Sequence, residues 1–195
     1  MNTRTTNLRK IEGRQQAGFT LIEVMISIVV LTVGLLSLLA TVGVGIAATQ
    51  TTKADFTAKQ LAEQAVESIY TARDTANIQW QQIQNSGTGE VPDGIFVPGF
   101  NPVLQAGPDG IFGTADDTGA QVIESPGPDG IYGTADDIKS SLKGYTRKIL
   151  IQNTDPKGTN LGSNLRWLEI TVQYSVAQSK SPKQYVLQGY ISSYR

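Results

Sequence analysis

Histidine and cysteine are both absent from the 195 residues. The first absence removes the commonest general acid–base. The second removes the thiol nucleophile and every disulfide, and together they exclude His/Cys zinc and haem sites. An enzyme would have to work with a Ser–Lys pair or with paired carboxylates, and nothing in the sequence places such groups together, so the chain reads as a non-enzyme. Charge is also missing in two informative places. No charged side chain lies between Val24 and Thr52, and no Lys or Arg lies between Glu90 and Asp137, a stretch that holds nine acids. From Lys139 onward nine bases face two acids, Asp155 and Glu169, so the overall −1 conceals a net +7 in the last part of the chain.

Residues 1–18 are polar and basic, with Arg4, Arg9, Lys10 and Arg14 against Glu12, and an apolar run follows from Phe19. The run is long enough to span a hydrocarbon core as a helix. The positive-inside rule leaves the basic flank in the cytoplasm and sends the rest outward. Three readings compete. A cleaved secretory signal has a shorter apolar region with a small-residue site behind it. A plain membrane anchor accounts for the length but not for Glu23, just inside the run. A lone carboxylate in lipid costs roughly 2.5–3.5 kcal/mol on insertion scales, which marks it as functional.

The third reading accounts for the acid. Gly18-Phe19-Thr20-Leu21-Ile22-Glu23, behind a basic leader and opening a long apolar helix, resembles the cleavage and methylation motif of type IV prepilins and type II secretion pseudopilins. The resemblance implies cleavage after Gly18 by a prepilin peptidase, N-methylation of the new terminus Phe19, and pairing of Glu23 with the terminal amine of a neighbouring subunit. A buried carboxylate that gains a cationic partner is tolerated, and one that loses it is not, so the pair would favour one axial register. The implied protein is a structural subunit of a bacterial type IV pilus or related filament, a minor pilin, or alternatively a minor pseudopilin of type II secretion. Its partners would be other pilin or pseudopilin subunits, the peptidase/methylase, and inner-membrane lipid before assembly. Its place would be the bacterial inner membrane as a single-pass protein with the C-terminus outside the cytoplasm, then a periplasmic or extracellular filament.

The helix is expected to run on to about Gln84, with Phe56, Ala62, Ala65, Val66, Ile69 and Ala76 on one face and Lys53, Lys59, Glu63, Glu67, Arg73 and Asp74 on others. Asn85-Ser86-Gly87-Thr88-Gly89 reads as a stop. Gly34, Gly43 and Gly45, in the apolar half, read first as close-packing positions and second as points of local unwinding. Near the end, Tyr145–Ile151, Leu168–Val176 and Tyr185–Ile191 alternate as half-buried strands joined by turns at 153–158 and 179–182. The fold class is α+β: one long N-terminal helix, membrane-spanning in its first half, packed on a C-terminal antiparallel sheet of about three to four strands. The expected segments are a leader 1–18, an apolar half 19–52, an amphipathic half 53–85, an acidic loop 86–138 and a sheet 139–195. This arrangement also resembles the pilin family, with Leu61–Glu67 and Tyr185–Ile191 similar to PilV-like minor pilins and I-type minor pseudopilins.

Gly107-Pro108-Asp109-Gly110-Ile111-Phe112-Gly113-Thr114-Ala115-Asp116-Asp117 recurs twenty residues later as Gly127–Asp137, with Tyr132 in place of Phe112. Val91–Phe96 resembles a degenerate third copy without the paired acids. Repetition this close points to one duplicated structural unit. Asp-Gly after Pro makes a tight turn, and the following Ile and aromatic can pin the loop to a surface. Two readings of the acids stay open. In one, Asp109, Asp116 and Asp117 hold one calcium ion and Asp129, Asp136 and Asp137 a second, since calcium accepts six to eight oxygen ligands. In the other, the acids cap turns in a solvated loop or pair with the basic sheet. Lys139, Lys143, Arg147, Lys148, Lys180 and Lys183 also allow a filament-displayed adhesion or DNA-binding module, although basic residues on a sheet often only protect its surface and edges.

Overall fold

The computed structural model describes residues 18–87, 93–176, 179 and 181–194. The leader 1–17, the stop residues Thr88 and Gly89, Glu90, the Val91-Pro92 opening of the degenerate repeat, and Lys180 lie outside the described residues.

Helix α1 (Leu21–Asp74) runs for 54 residues, uninterrupted by proline. By length and composition it can cross a membrane. Its apolar half still carries hydroxyls, and these bond back to their own helix: Ser27 to the Glu23 carbonyl (2.7 Å), Thr32 to Ile28 (2.7 Å) and Thr41 to Ser37 (3.0 Å). In lipid, where water cannot serve them, such internal bonds satisfy the hydroxyls. The helix continues through Gly34, Gly43 and Gly45, and nothing lies within 4 Å of where their Cβ atoms would stand.

The helix ends at Asp74, ten residues before the expected Gln84. Ala76 adopts φ 59°, the Asn77 N–H reaches the Ala72 carbonyl (2.9 Å) and the Ala76 N–H reaches Arg73 (3.1 Å). These bonds form a left-handed terminal cap, a role usually given to Gly. Apolar spacing continues past that point because Ile78 and Ile83 still feed the core, from a turn that includes a short 3-10 helix at Trp80–Gln82. The buried stripe also differs in detail. It consists of Ala58, Leu61, Ala62, Ala65, Ile69 and Ala72, while Phe56 is 58% exposed and Ala76 lies beyond the helix. Phe56 is two positions from Ala58, about 200° round the helix, and so faces away.

Eight strands follow among the described residues: β1 (Asn101–Pro102), β2 (Leu104–Gln105), β3 (Thr118–Ala120), β4 (Val122–Ser125), β5 (Ile138–Ser141), β6 (Tyr145–Gln152), β7 (Leu165–Tyr174) and β8 (Lys183–Ser192). The main sheet has the order β1-β6-β7-β8, antiparallel throughout. Ile149, Ile170 and Leu187 stand side by side across β6, β7 and β8. The expected α+β class with a sheet of three to four strands is therefore correct. The expected 86–138 loop is more structured than a loop, because β2–β3 and β4–β5 form two small ladders within and beside it.

Within residues 47–195 the alanine-rich stripe of α1 packs on Ile149, Ile151, Leu168, Ile170, Val172 and Ile191 of the sheet, with Ile83, Phe96 and Ile111 closing the core. Small side chains on the helix let the sheet approach. Fully burying each large aliphatic side chain contributes about 1.5–3 kcal/mol. Polar bonds fix the register: Tyr174 donates to Asp55 (2.7 Å), Tyr70 to the Tyr190 carbonyl (2.7 Å) and Arg73 to the Ser192 carbonyl (3.1 Å). Asn85, expected only as part of a stop, is buried and clamps β6, donating to the Ile149 carbonyl (2.8 Å) and accepting from the Ile151 N–H (2.9 Å).

Candidate functional site

The first element is the start of α1. Gly18, Phe19 and Thr20 precede the helix, and the Phe19 side chain is 81% exposed. Thr20 opens the helix, since its hydroxyl and its carbonyl accept from the Glu23 N–H at 3.3 and 3.1 Å. Glu23 falls in the first turn, where the positive end of the helix dipole favours an anion. Thr-x-x-Glu is a helix-start spacing. The spacing is present in the sequence, where Glu23 is read only for the intersubunit role that the resemblance implies, and it gives Glu23 a local task at the helix start. Gly18 and Phe19 thus form an exposed, non-helical lead-in to an apolar helix whose first acid lies one turn away.

A family model of the prokaryotic N-terminal methylation motif matches residues 13–39. The match covers 27 of the 195 residues, the stretch that opens α1, and indicates a type IV prepilin-like protein. Neither a curated protein nor a solved structure matches it. The motif points to a structural subunit that assembles with other pilin subunits after cutting by prepilin peptidase. The long apolar helix and the motif together fit anchoring in the inner membrane and then a filament.

The second element is the pair of acidic repeats. Each forms the tip of a hairpin, copy one between β2 and β3 and copy two between β4 and β5. Their internal bonds match. Ile111 N–H donates to Asp109 (2.8 Å) and Ile131 N–H to Asp129 (2.9 Å). Gly113 N–H donates to Asp117 (2.7 Å) and Gly133 N–H to Asp137 (2.6 Å). The Thr114 and Thr134 hydroxyls donate to Asp116 and Asp136, both at 2.6 Å. These hydroxyl bonds, above all other causes, hold Asp116 and Asp136 below the usual carboxylate range. The positive φ of Gly113 (88°) and Gly133 (85°) lets the chain double back to meet the acids.

The surroundings differ. In copy one Ile111 is 1% exposed, the Phe112 N–H meets the Ser68 hydroxyl on α1 (3.3 Å), and Asn77 donates to the Asp109 carbonyl (3.0 Å). The guanidinium of Arg147 lies 4.8 Å over the Phe112 ring and donates to the Leu61 carbonyl (3.3 Å). Burial lowers Arg147 to about 10, partly offset by the charge of Asp117. Burial also pushes the Asp117 carboxyl up, against the pull of the Gly113 and Gly107 N–H groups and Arg147. Copy two has no such bed: Ile131 is 60% and Tyr132 67% exposed.

The six acids proposed from sequence as calcium ligands are thus in two equivalent places. Asp109 lies beside Asp116, and Asp129 beside Asp136, while Asp117 and Asp137 bond to glycine N–H groups. Among the described residues no three acids converge closely enough for one cation. The carboxylates are taken up by the loops' own donors. Arg147 is 5% exposed and cannot meet a phosphate. Lys139, Lys148 and Lys183 pair with Glu124 (2.9 Å), Glu169 (3.5 Å) and Asp55 (3.3 Å). Sequence reasoning missed Arg147 and Asn85 as inward-facing groups, because alternation assigns a face to a strand position but does not show that a polar group there is buried.

Proposed function

We propose that this chain is a minor subunit of a bacterial type IV pilus or related filament, cut after Gly18 and N-methylated on Phe19, with Glu23 setting the axial register. What supports this is one observation: an exposed Gly18-Phe19 lead-in stands one helical turn ahead of Glu23, at the head of an apolar helix that carries the methylation motif. The globular part then lies outside the cytoplasm. A minor pseudopilin of type II secretion is the same molecule in a different machine, and the genes beside it would separate the two.

The test is mass spectrometry of the N-terminus together with recovery of the chain in sheared filaments. The expected mature chain begins with methylated Phe19. Glu23→Ala should keep the cut and lose filament incorporation; normal incorporation of that variant would remove the register role.

Calcium at the two loops is a separate proposal, supported by three carboxylates per copy. To bind it, each loop must exchange hydrogen bonds it now makes to its own glycines and threonine. Thermal unfolding of the full chain in detergent, with and without millimolar calcium, decides it. A higher midpoint that vanishes in Asp116→Asn and Asp136→Asn supports binding, and an unchanged midpoint removes it.

A further inference from the structure

Copy two holds outward the side chains that copy one buries. Both loops have the same turn, with φ 70° at Gly110 and at Gly130 and matching carboxylate bonds, so Ile131 and Tyr132 are presented as Ile111 and Phe112 are. Copy one therefore shows what such a knob fits. Its seat is the core cluster that holds the small-residue stripe of α1 together with Ile149, a hydroxyl at Ser68 on that helix and an amide at Asn77 that bond the loop backbone, and the Arg147 guanidinium over the aromatic ring.

Two facts narrow the occupant of the second knob. The seat on this chain is already filled by copy one, and the same is true of any other copy of the chain. The second knob is also acidic, carrying Asp129, Asp136 and Asp137. The nearby base, Lys139, is held by Glu124 at 2.9 Å. In copy one the equivalent charge faces Arg147. A partner that supplies a cation beside an apolar helix face complements both the charge and the two exposed side chains.

We propose that the Ile131–Tyr132 tip docks on a different subunit of the filament, one presenting a helix of small side chains beside an arginine. The inference rests on the filament reading above. It gives the duplication a use: one copy completes the subunit's own core, and the other joins it to a neighbour. Exposed aromatic and isoleucine side chains on a rigid turn suit this, since little conformational freedom remains to be lost on docking.

The test uses the full chain in its own cells with the photoreactive residue p-benzoylphenylalanine at position 132 or, separately, at 112. Illumination at 132 is expected to give adducts in sheared filaments whose peptides map to the helix of another subunit, next to an arginine. Illumination at 112 is expected to give adducts within the chain alone. Adducts at 132 confined to this chain or to a second copy of it, or none at all in filaments that hold the processed chain, would overturn the docking and leave the filament reading standing. Absence of the processed chain from the filament fraction would overturn both. Ile131→Ser with Tyr132→Ser supplies a second readout. Recovery in filaments should fall about tenfold or more, the scale of losing a buried aromatic anchor. Cutting after Gly18 and the unfolding midpoint should be unchanged. Undiminished recovery would sink the proposal.

Discussion

Residues 107–117 and 127–137 differ at one position, Phe112 against Tyr132, and share the Asp–Ile, Asp–Gly and Thr–Asp hydrogen bonds that shape the turn, yet only the first belongs to the core. The difference lies in how the two hairpins are attached. Copy one follows β1, which pairs with β6 through Asn101 and Arg147, and Val103 behind it is buried. That attachment holds the loop against α1. Copy two tips a hairpin whose β5 strand is exposed along its whole length. Local sequence therefore determines the turn, while the stem determines what the turn touches.

The sharpest way to break this comparison is to truncate the equivalent isoleucines. Ile111→Ala should cost about 2–4 kcal/mol, the usual range for emptying a buried aliphatic site. Ile131→Ala should lie within about 0.5 kcal/mol of the parent, as exposed substitutions do. Denaturant unfolding in detergent can follow Trp80 and Trp167, the two tryptophans of the chain. Equal losses at the two sites would mean that copy two is docked after all. The glycines offer the next contrast. Ala at Gly113 or Gly133 meets the same left-handed strain, about 1–2 kcal/mol. At Gly113 a Cβ would also stand 2.5 Å from the Ile149 side chain, whereas at Gly133 nothing lies within 4 Å. Gly113→Ala should thus lower the unfolding midpoint well beyond Gly133→Ala, whose strain falls on an exposed tip.

Much of this was legible in the residues. The charge-free run after Glu23 announced the long helix, and the alternation at 145–151, 168–176 and 185–191 announced three strands of the sheet. The Pro-Asp-Gly turn and the idea that Ile and an aromatic pin the loop were both readable, and copy one does that. Copy two does not, because identical text cannot say which copy reaches the core; only β1, a pairing between residues 45 or so apart, decides it. The early end of α1 was hidden for another reason. Its cap uses Ala76 in a conformation that normally advertises itself as Gly, and Ile78 and Ile83 keep the apolar rhythm going past it. The start of α1 is a second such case, since the Thr20-x-x-Glu23 spacing lay in the sequence but Glu23 drew notice only as an acid in an apolar run.

Acid unfolding sharpens the comparison inside copy one. Asp117 is raised above its ordinary 3.8 chiefly by burial, so folding favours its protonated form. Its contribution to stability therefore grows as pH falls through the raised folded value toward the unfolded one. Asp116 is lowered below 3.8, first by the Thr114 hydroxyl, so its contribution is present above the unfolded value and is lost as pH falls. Asp117→Asn should steepen the loss of stability as pH falls toward 3.8 from above, and Asp116→Asn should flatten the loss below 3.8, as linkage requires. Urea midpoints between neutral and acid pH measure both. Parallel curves for the two variants would show that burial of Asp117 carries no such weight.

The smallest effect concerns the one residue that distinguishes the copies. If Phe112 seated copy one because it is not Tyr, then Phe112→Tyr should eject the loop. The ring is only partly buried and meets Arg147 across its face at 4.8 Å. Tyr offers the same face to a cation, and a hydroxyl on a partly open ring can reach water. The expected change is therefore under about 1 kcal/mol, within the range of a well-tolerated substitution. Tyr132→Phe should likewise leave copy two exposed, with stability unchanged. A large loss in Phe112→Tyr, or a gain in Tyr132→Phe, would move the cause from the stems to the ring. A null result in both leaves the attachment through β1 as the feature that assigns one copy to the core and the other to the surface.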